Sequence, residues 1–214
     1  RDRRVRVVDT NYLDLSLQGT LMTWIYLNSY TSSTNAGLIH KGEKSNLDDE
    51  AYGLILQNAG NSLALRINNG ITTSQLNSNY ILSLGQWYHV AATWDGSEYK
   101  IYVDGELVDS MSSIVIPRST TGRLMVGAMY DQSAGGTDRR LSVDGRLDEV
   151  NVFNRTLQEN EIKAHYLKGS NVLLPDERVY LNPWDYNNLI SVSESVTFDP
   201  TTNYTYFDSN NDYL

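Results

Sequence analysis

The stretch that decides the fold is GQWYHVAATWDGSEYKIYVDGELVDS, residues 85–110. Residues 87–94 place aromatic and β-branched side chains on both faces, which is typical of a strand buried between two layers. Asp95-Gly96 and Asp104-Gly105 predict two tight turns, because Asp and Gly tolerate the positive φ of a two-residue hairpin. Three strands and two such turns predict an antiparallel meander, since a parallel crossover needs a longer connection. The alternative is a hairpin that decorates some other domain.

Length and composition favour one large all-β domain. The chain has 214 residues, no cysteine and a formal net charge of −9. Only one credible helix is visible, which argues against a doubly wound α/β fold. The negative charge disfavours nucleic-acid binding and anionic membranes, and is compatible with cation binding or with simple solubility. No apolar run is long enough for insertion into a membrane. The missing initiator methionine and signal peptide indicate a processed product or a piece of something longer.

Further strands and one helix complete the predicted pattern. Trp24, Trp87 and Trp94 are expected to lie in the core. Thr156 and Glu159 match a capping box, in which a hydroxyl and a carboxylate satisfy the first amides of a helix. The helix is therefore predicted over 157–168, stopping at Gly169. The remaining predicted strands are 5–8, 21–27, 37–41, 52–57, 63–68, 80–84, 111–118, 123–129 and 146–153, with a bulge at Gly127.

Several of these motifs together resemble a known family. They are QWYHVAATWDG (86–96), YVDG (102–105), LMTWIYL (21–27), GLIHKG (37–42) and GRLDEVNVFNRTL (145–157). In this order they resemble the laminin-G-like jelly rolls of the concanavalin A-like lectin superfamily, to which pentraxins are related. The resemblance covers roughly residues 5–166 and implies an all-β antiparallel sandwich with one short helix. The predicted domain spans 1–169.

Residues 170–214 form a predicted C-terminal extension. The segment YFDSNNDYL, residues 206–214, resembles the strand that normally opens such a domain, yet it lies at the opposite end of the chain. Three alternatives follow. The segment pairs within its own sandwich, begins another repeat, or pairs with the exposed edge of a neighbouring subunit.

Catalysis is not expected. Glycoside hydrolases of the same superfamily flank the scissile bond with two glutamates on one face of a strand. The corresponding region here offers only Asp148 and Glu149, which as adjacent strand residues would point to opposite faces. The three histidines, His40, His89 and His165, are predicted to be packed or half-exposed side chains. The chain is therefore predicted not to be an enzyme.

Calcium is the candidate cofactor. Calcium prefers carboxylate, amide and main-chain oxygens. The resemblance implies a site formed by Asp148 with Asp208 and Asp212. A rival acidic cluster is Asp48, Asp49 and Glu50. Both groups have a simpler alternative, namely solvated loop carboxylates.

Loop aromatics are the candidate ligand-binding residues, because aromatic faces stack on sugars and also mediate protein contacts. They are Tyr30, Tyr130, Trp184 and Tyr186. We interpret the chain as a non-catalytic extracellular or cell-surface recognition module for glycans or proteins. The alternatives are a structural subunit of a surface filament, appendage or virion, assembled by exchange of the C-terminal strand, and an accessory domain of a large enzyme.

Overall fold

The computed structural model describes residues 5–30, 35–42, 50–57, 61–130 and 140–170. Two antiparallel sheets and a small two-stranded sheet make up the fold. The six-stranded sheet has the order β1, β10, β3, β4, β5, β6, with bounds Val5–Val7, Leu124–Val126, Asn35–Lys41, Tyr52–Gln57, Ser62–Asn68 and Thr73–Ile81. The five-stranded sheet has the order β13, β2, β7, β8, β9, with bounds Gly145–Phe153, Gly19–Leu27, Trp87–Trp94, Glu98–Val103 and Glu106–Ser112. The small sheet pairs β11, Ala128–Tyr130, with β12, Arg140–Ser142, and the helix α1 spans Glu159–Ser170. This architecture confirms the predicted antiparallel β-sandwich with one short helix.

The two large sheets face each other across one apolar core. The Trp94 indole is fully buried there, with its ring centroid 5.7 Å from that of Tyr52 on the opposite sheet. Large buried aromatics of this kind dominate the stability of a core. Trp24 is buried as well, but on the outer face of the five-stranded sheet, against Tyr166 of α1, and not between the two sheets as predicted. The prediction for Trp87 is wrong, because its side chain is 41% exposed at the first residue of β7.

The two hairpin turns of the meander differ in detail. Asp104 and Gly105 both have positive φ, 51° and 79°, as predicted for a two-residue turn. In the first turn, Trp94 pairs with Tyr99, and the amide of Asp95 donates to the carbonyl of Glu98. The two-residue loop is therefore Gly96-Ser97, one residue later than predicted. The Asp95 carboxylate causes this shift, because it accepts the amides of Ser97 and Glu98.

Three strand predictions need correction. Strand β6 begins at Thr73, well before the predicted segment 80–84, because its polar sequence lies at a sheet edge and shows little apolar alternation. Strand β9 ends at Ser112, so the predicted strand 111–118 does not continue. The predicted strand 123–129 is divided into β10 and β11 at Gly127, whose φ of 79° fits the predicted irregularity.

Helix α1 begins two residues later than predicted, with different capping contacts. The Thr156 hydroxyl donates to the Trp94 carbonyl, so it does not cap the helix. The carboxylate of Glu161, rather than that of Glu159, accepts the amide of Gln158 and also binds the guanidinium of Arg155. Leu157 and Ile162 then pack on the outer face of the five-stranded sheet. Within the described residues, no helix combines the length and apolar character needed to cross a bilayer.

A buried lysine anchors the chain segment that precedes β2. The ammonium of Lys41 is fully buried and lies 2.6 Å from a carboxylate oxygen of Asp9 and 3.9 Å from one of Asp14. It also donates to the carbonyls of Thr120 and Gly122. A buried ammonium is costly unless it is paired and hydrogen-bonded. These oxygens therefore fix the segments before β2 and before β10 to the end of β3.

Candidate functional site

The predicted ligand-binding residues are only partly within the described structure. Tyr30 is 40% exposed just after β2, and its hydroxyl donates to the Leu82 carbonyl over 2.9 Å. The backbone of Tyr130 pairs with Arg140 in the small sheet. Trp184 and Tyr186 lie outside the described residues. Tyr30 therefore remains as the one predicted aromatic whose side chain the structure places, at the end of the sandwich where β2 finishes and β7 starts.

An exposed cross-strand row lies on the outer face of the five-stranded sheet, where β2 ends and β7 begins. Arg146 of β13 pairs with Tyr26 of β2, and Tyr26 pairs with Trp87 of β7. The two ring centroids are 5.6 Å apart, and the Arg146 guanidinium carbon lies 5.3 Å from the Tyr26 centroid. We call Arg146, Tyr26 and Trp87 the open row. Its tilted ring pair and guanidinium form a preorganised aromatic surface.

The neighbouring row on the same face is covered. Asp148 pairs with Trp24, and Trp24 pairs with His89, so these three side chains lie on the next outward row of β13, β2 and β7. Of this covered row, Trp24 is 9% exposed and His89 is 2% exposed. The ring of Tyr166 in α1 lies 5.8 Å from Trp24. Helix α1 is only about 18 Å long, so it covers two rows of the sheet and leaves the open row uncovered.

Hydrogen-bonding groups border the open row. Asp144 lies just before β13, and its carboxylate accepts the hydroxyl of Ser29 and the amide of Asn28. The Ser29 hydroxyl, and after it the Asn28 amide, hold the pKa of Asp144 below its usual value. Asp144 is therefore ionised at neutral pH, and it presents acceptor oxygens two residues from Arg146. A sugar ring could stack on the two aromatic side chains, while its hydroxyl groups form hydrogen bonds with the carboxylate and the guanidinium.

The loop before β7 is held in place by the Tyr88 hydroxyl. This hydroxyl accepts the amide of Ser83 over 3.1 Å and the side-chain amide of Gln86. The amide of Gly85 donates to the Leu27 carbonyl, and Gly85 has a φ of 79° that disfavours other residues. The start of β7 is therefore fixed against the end of β2. Trp87 is presented from a rigid element, which lowers the entropic cost of binding a ligand.

The sequence gives no direct signal for the exposure of Trp87. Residues 87–94 carry apolar side chains on both faces, and seven of the eight are buried. Trp87 differs because the open row lies beyond the helix. The one indication in the sequence is position. Gly85 and Gln86 place Trp87 at the start of the strand, where a neighbouring element can cease to cover the sheet.

The acidic cluster predicted at Asp48, Asp49 and Glu50 is not supported as a solvated cation site. Asp48 and Asp49 lie outside the described residues, whereas Glu50 is 1% exposed. A carboxylate oxygen of Glu50 lies 2.6 Å from Arg66, and the other lies 3.4 Å from His40. Arg66 and His40 are aligned across Gly53 on β3, β4 and β5, where the missing side chain leaves room for His40. Glu50 is therefore the counter-ion of a buried guanidinium rather than a solvated loop carboxylate.

The carboxylates of β13 do not form a catalytic pair in the described structure. Asp148 and Glu149 are both exposed, and the strand has a bulge between Asp148 and Asn151. Glu149 has a φ of 46°, so the regular alternation predicted for 146–153 stops at this residue. An oxygen of Asp148 accepts the amide of Glu149, and Asp208 and Asp212 lie outside the described residues. Among the residues described, no three His, Cys, Asp or Glu side chains converge as a metal site would require.

Comparisons with known proteins agree with the fold. The laminin-G-type profile of the concanavalin A-like lectin/glucanases superfamily matches residues 2–163. The mouse (Mus musculus) pentraxin-related protein PTX3 is 29% identical over 119 residues, which are 53% of this chain and 31% of the mouse protein. The chain thus spans less than a third of that relative.

Two solved structures share the architecture at low identity. The CBM40 domain of the Ruminococcus gnavus IT-sialidase, solved with α2,3-sialyllactose, superposes with a TM-score of 0.59 and 19% identity, over 72% of this chain and 85% of that one. A SAP-like pentraxin from Limulus polyphemus superposes with a TM-score of 0.51 and 16% identity, over 75% of this chain and 79% of that one. At these identities the likeness concerns the fold alone.

Proposed function

The chain belongs to the concanavalin A-like lectin/glucanases superfamily, and on that premise we propose that it is a non-catalytic binding module that recognises glycans through the open row. The observation that carries the proposal is the 41% exposure of Trp87 beside the Tyr26 ring. Exposed, rigidly held aromatic faces with a nearby carboxylate and guanidinium provide CH–π stacking together with hydrogen bonds. The pentraxin and carbohydrate-binding relatives support a binding role over a catalytic one.

Tyr30 extends the same surface. Its ring is fixed by the hydrogen bond to Leu82, next to the segment that holds Asn28 and Ser29. We therefore keep Tyr30 as a ligand-binding residue and add Tyr26, Trp87 and Arg146. Tyr130, Trp184 and Tyr186 stay predictions. A glycan ligand also supports the expectation of an extracellular or cell-surface location, since complex glycans are displayed there.

A glycan array tests the proposal. The intact chain should bind a restricted set of glycans, and Trp87→Ala should reduce that signal at least tenfold, because stacked aromatics contribute a large share of such binding energies. Tyr12→Ala is the matched control, since Tyr12 is 90% exposed and belongs to a short turn before β2, away from the open row. An array without any signal, or an equal loss in both variants, would reject glycan recognition at this surface. A blank array with retained binding to proteins would favour the protein-ligand alternative.

Calcium remains a proposed cofactor. Asp148 contributes an exposed carboxylate, one oxygen of which already accepts the Glu149 amide. Asp208 and Asp212 would supply the further oxygens that calcium requires. Thermal unfolding in calcium and in EDTA tests this: a reversible loss of melting temperature in EDTA is expected, and it should disappear in Asp148→Asn. Identical melting curves for the wild-type chain would remove calcium from the proposal.

A structural role through the C-terminal extension, residues 170–214, is the second candidate function. One observation favours it. Strand β13 is nine residues long and has β2 as its one neighbour among the described strands. A long edge strand is a template for pairing with another segment. Deleting residues 204–214 and measuring molar mass by light scattering tests this function. Loss of large assemblies is expected, and an unchanged monomer before and after deletion would exclude it.

A further inference from the structure

The two halves of α1 are attached to the sheet by different kinds of contact. Ile162 in the first half, together with Leu157 just before the helix, joins Met22, Ala91 and Tyr102 in a small apolar cluster. The second half contacts the sheet through rings. Tyr166 lies 5.8 Å from Trp24 and 6.3 Å from His89, and His165 lies 5.8 Å from Phe153. Gly169 packs directly on the Trp24 indole. The second half therefore depends on two histidines.

The surface beneath this second half contains polar atoms that the described structure does not satisfy. The indole nitrogen of Trp24 and Nδ1 of His89 are buried without a hydrogen-bond partner. Each such group loses its interactions with water when the helix covers it. Lifting the end of α1 would return both atoms to solvent. The second half of α1, which we call the cover, is therefore held on the sheet less strongly than its ring contacts alone suggest.

Among the described residues, the carboxylate that contacts His89 binds its backbone amide and not its ring. The backbone amide of His89 donates to this Asp104 carboxylate over 2.8 Å. His165 on α1 faces it with the same sign of charge when protonated, and Lys168 lies near His165.

The remaining carboxylates are engaged or solvated. Glu161 binds Arg155, and Asp148, opposite Trp24, is exposed. Burial, and then His165, lowers the pKa of His89 to about 4. Burial, and then Lys168, lowers the pKa of His165. Burial also raises the pKa of Asp104, so this carboxylate is protonated at a higher pH than an ordinary aspartate. Both histidines therefore resist protonation only as long as the cover is closed.

We propose that acid releases the second half of α1 from the sheet through protonation of His89, and that this release adds Trp24 to the open row. The binding consequence rests on the proposed function. Trp24 lies on the row next to Tyr26 and Trp87, so its uncovered indole continues the same aromatic surface. The Trp24 indole nitrogen and His89 would then offer hydrogen bonds to sugar hydroxyls. Acid thereby enlarges the ligand-binding surface.

The release can be measured without a ligand. Hydrogen–deuterium exchange of the intact chain at pH 7 and pH 4, corrected for the intrinsic pH dependence of exchange, should show opening of residues 163–170. The population of the open form should rise on the order of 100-fold, as the difference between a pKa of about 4 and one near 6.5 requires. Strand β4 should remain protected. Oxidative footprinting should show Trp24 reacting at pH 4, with Trp94 unreactive as the buried reference.

Two variants keep the proposal testable. His89→Gln should remove most of the acid response while the helix stays closed, and the smaller remainder is due to His165. Gly169→Ala should open the cover already at pH 7, because an added Cβ would lie 2.3 Å from the Trp24 indole nitrogen. Lys168→Ala is the neighbouring exposed control and should leave the cover closed at pH 7.

The proposal is overturned if residues 163–170 open only together with β4, if Trp24 stays unreactive at pH 4, or if His89→Gln responds like the wild-type chain. If His89→Gln does not fold, the Gly169→Ala result decides, and protection of Trp24 in that variant contradicts the proposal. None of these outcomes depends on glycan binding, which Trp87→Ala tests separately.

Discussion

The open row and the covered row are neighbours on one face of one sheet, and they differ only in what lies above them. Tyr26 and Trp87 form a pair on the same two strands as Trp24 and His89. Trp24 is 9% exposed beneath α1, whereas Trp87 is 41% exposed beyond it. The strands supply equivalent aromatic positions, and a short helix decides which become core and which become surface. Coverage by α1 therefore separates the buried ring of Trp24 from the exposed ring of Trp87, in the row that we propose to bind glycans.

Replacing Trp24 or Trp87 by alanine should give the largest difference in stability between the two rows. Trp24→Ala should lower the free energy of unfolding by about 3–5 kcal/mol, because it leaves a cavity between the sheet and α1. Trp87→Ala should cost less, roughly 2 kcal/mol, since 41% of the side chain is already exposed and its removal leaves no buried cavity. Urea denaturation of both variants measures the difference. Equal losses would mean that the two rows are not covered differently.

Acid should destabilise the covered row and spare the open row. The pKa of His89 is about 4 in the folded chain and near 6.5 when unfolded, so the unfolded state binds more protons between these values. The contribution of neutral His89 is complete above pH 6.5 and is lost progressively as the pH falls to about 4. The loss should be on the order of 3 kcal/mol.

Urea denaturation of the wild-type chain and His89→Gln across this pH range measures that loss. A flatter stability profile is expected in the variant. The lowered pKa of His165 acts in the same direction and should leave a smaller residual slope. Parallel profiles for the two proteins would show that His89 is not buried as a neutral group.

The first turn of α1 should contribute a smaller effect. Glu161→Ala removes both the contact with Arg155 and the bond to the Gln158 amide, so it should cost about 1–2 kcal/mol. Glu159→Ala is the matched control, because Glu159 is exposed at the position that the capping-box pattern selects. Thermal unfolding of both variants distinguishes the two caps. A larger loss of stability in Glu159→Ala than in Glu161→Ala would support the predicted capping box instead.

The smallest effect should occur at the border of the open row. Ser29→Ala removes the main donor to Asp144 and should raise the pKa of that carboxyl, measured by NMR titration. Asn28→Ala should raise it less. Both variants should shift the unfolding midpoint only slightly, since Asp144 is exposed and its interactions are screened by solvent. An unchanged pKa in Ser29→Ala would show that the hydroxyl does not hold the carboxylate.

Period-two patterns and turn residues predict the fold because they report local geometry. The alternation around Trp94 and the Asp-Gly turns lead to the meander, and Trp94 is buried as expected. The shift of the first turn depends on a side-chain hydrogen bond of Asp95, which the dipeptide alone does not specify. The helix cap is displaced for a similar reason, because Arg155 recruits Glu161. These are contacts between side chains rather than patterns.

The binding surface is harder to predict because coverage is a tertiary property. Trp87 follows the same apolar pattern as its buried neighbours in β7, but it is the first residue of the strand and lies in the row next to the one that Tyr166 of α1 contacts. Glu50 shows the converse case. Its acidic neighbours suggest a solvated loop, yet Arg66 and His40 approach it from strands that are distant in sequence. Of the predicted ligand-binding residues, Tyr30 is the one whose side chain the structure describes, and its part in the binding surface stays a prediction.

Fluorine NMR of the chain labelled with 5-fluorotryptophan tests the difference between the two rows most directly. Single Trp→Phe variants assign the signals, and the solvent isotope shift between H₂O and D₂O reports the exposure of each indole. At neutral pH, Trp87 should show a large shift, and Trp24 and Trp94 should show almost none. A protected Trp87, or a Trp24 as exposed as Trp87, would contradict the account in which the covered row is buried and the open row is free to bind a ligand.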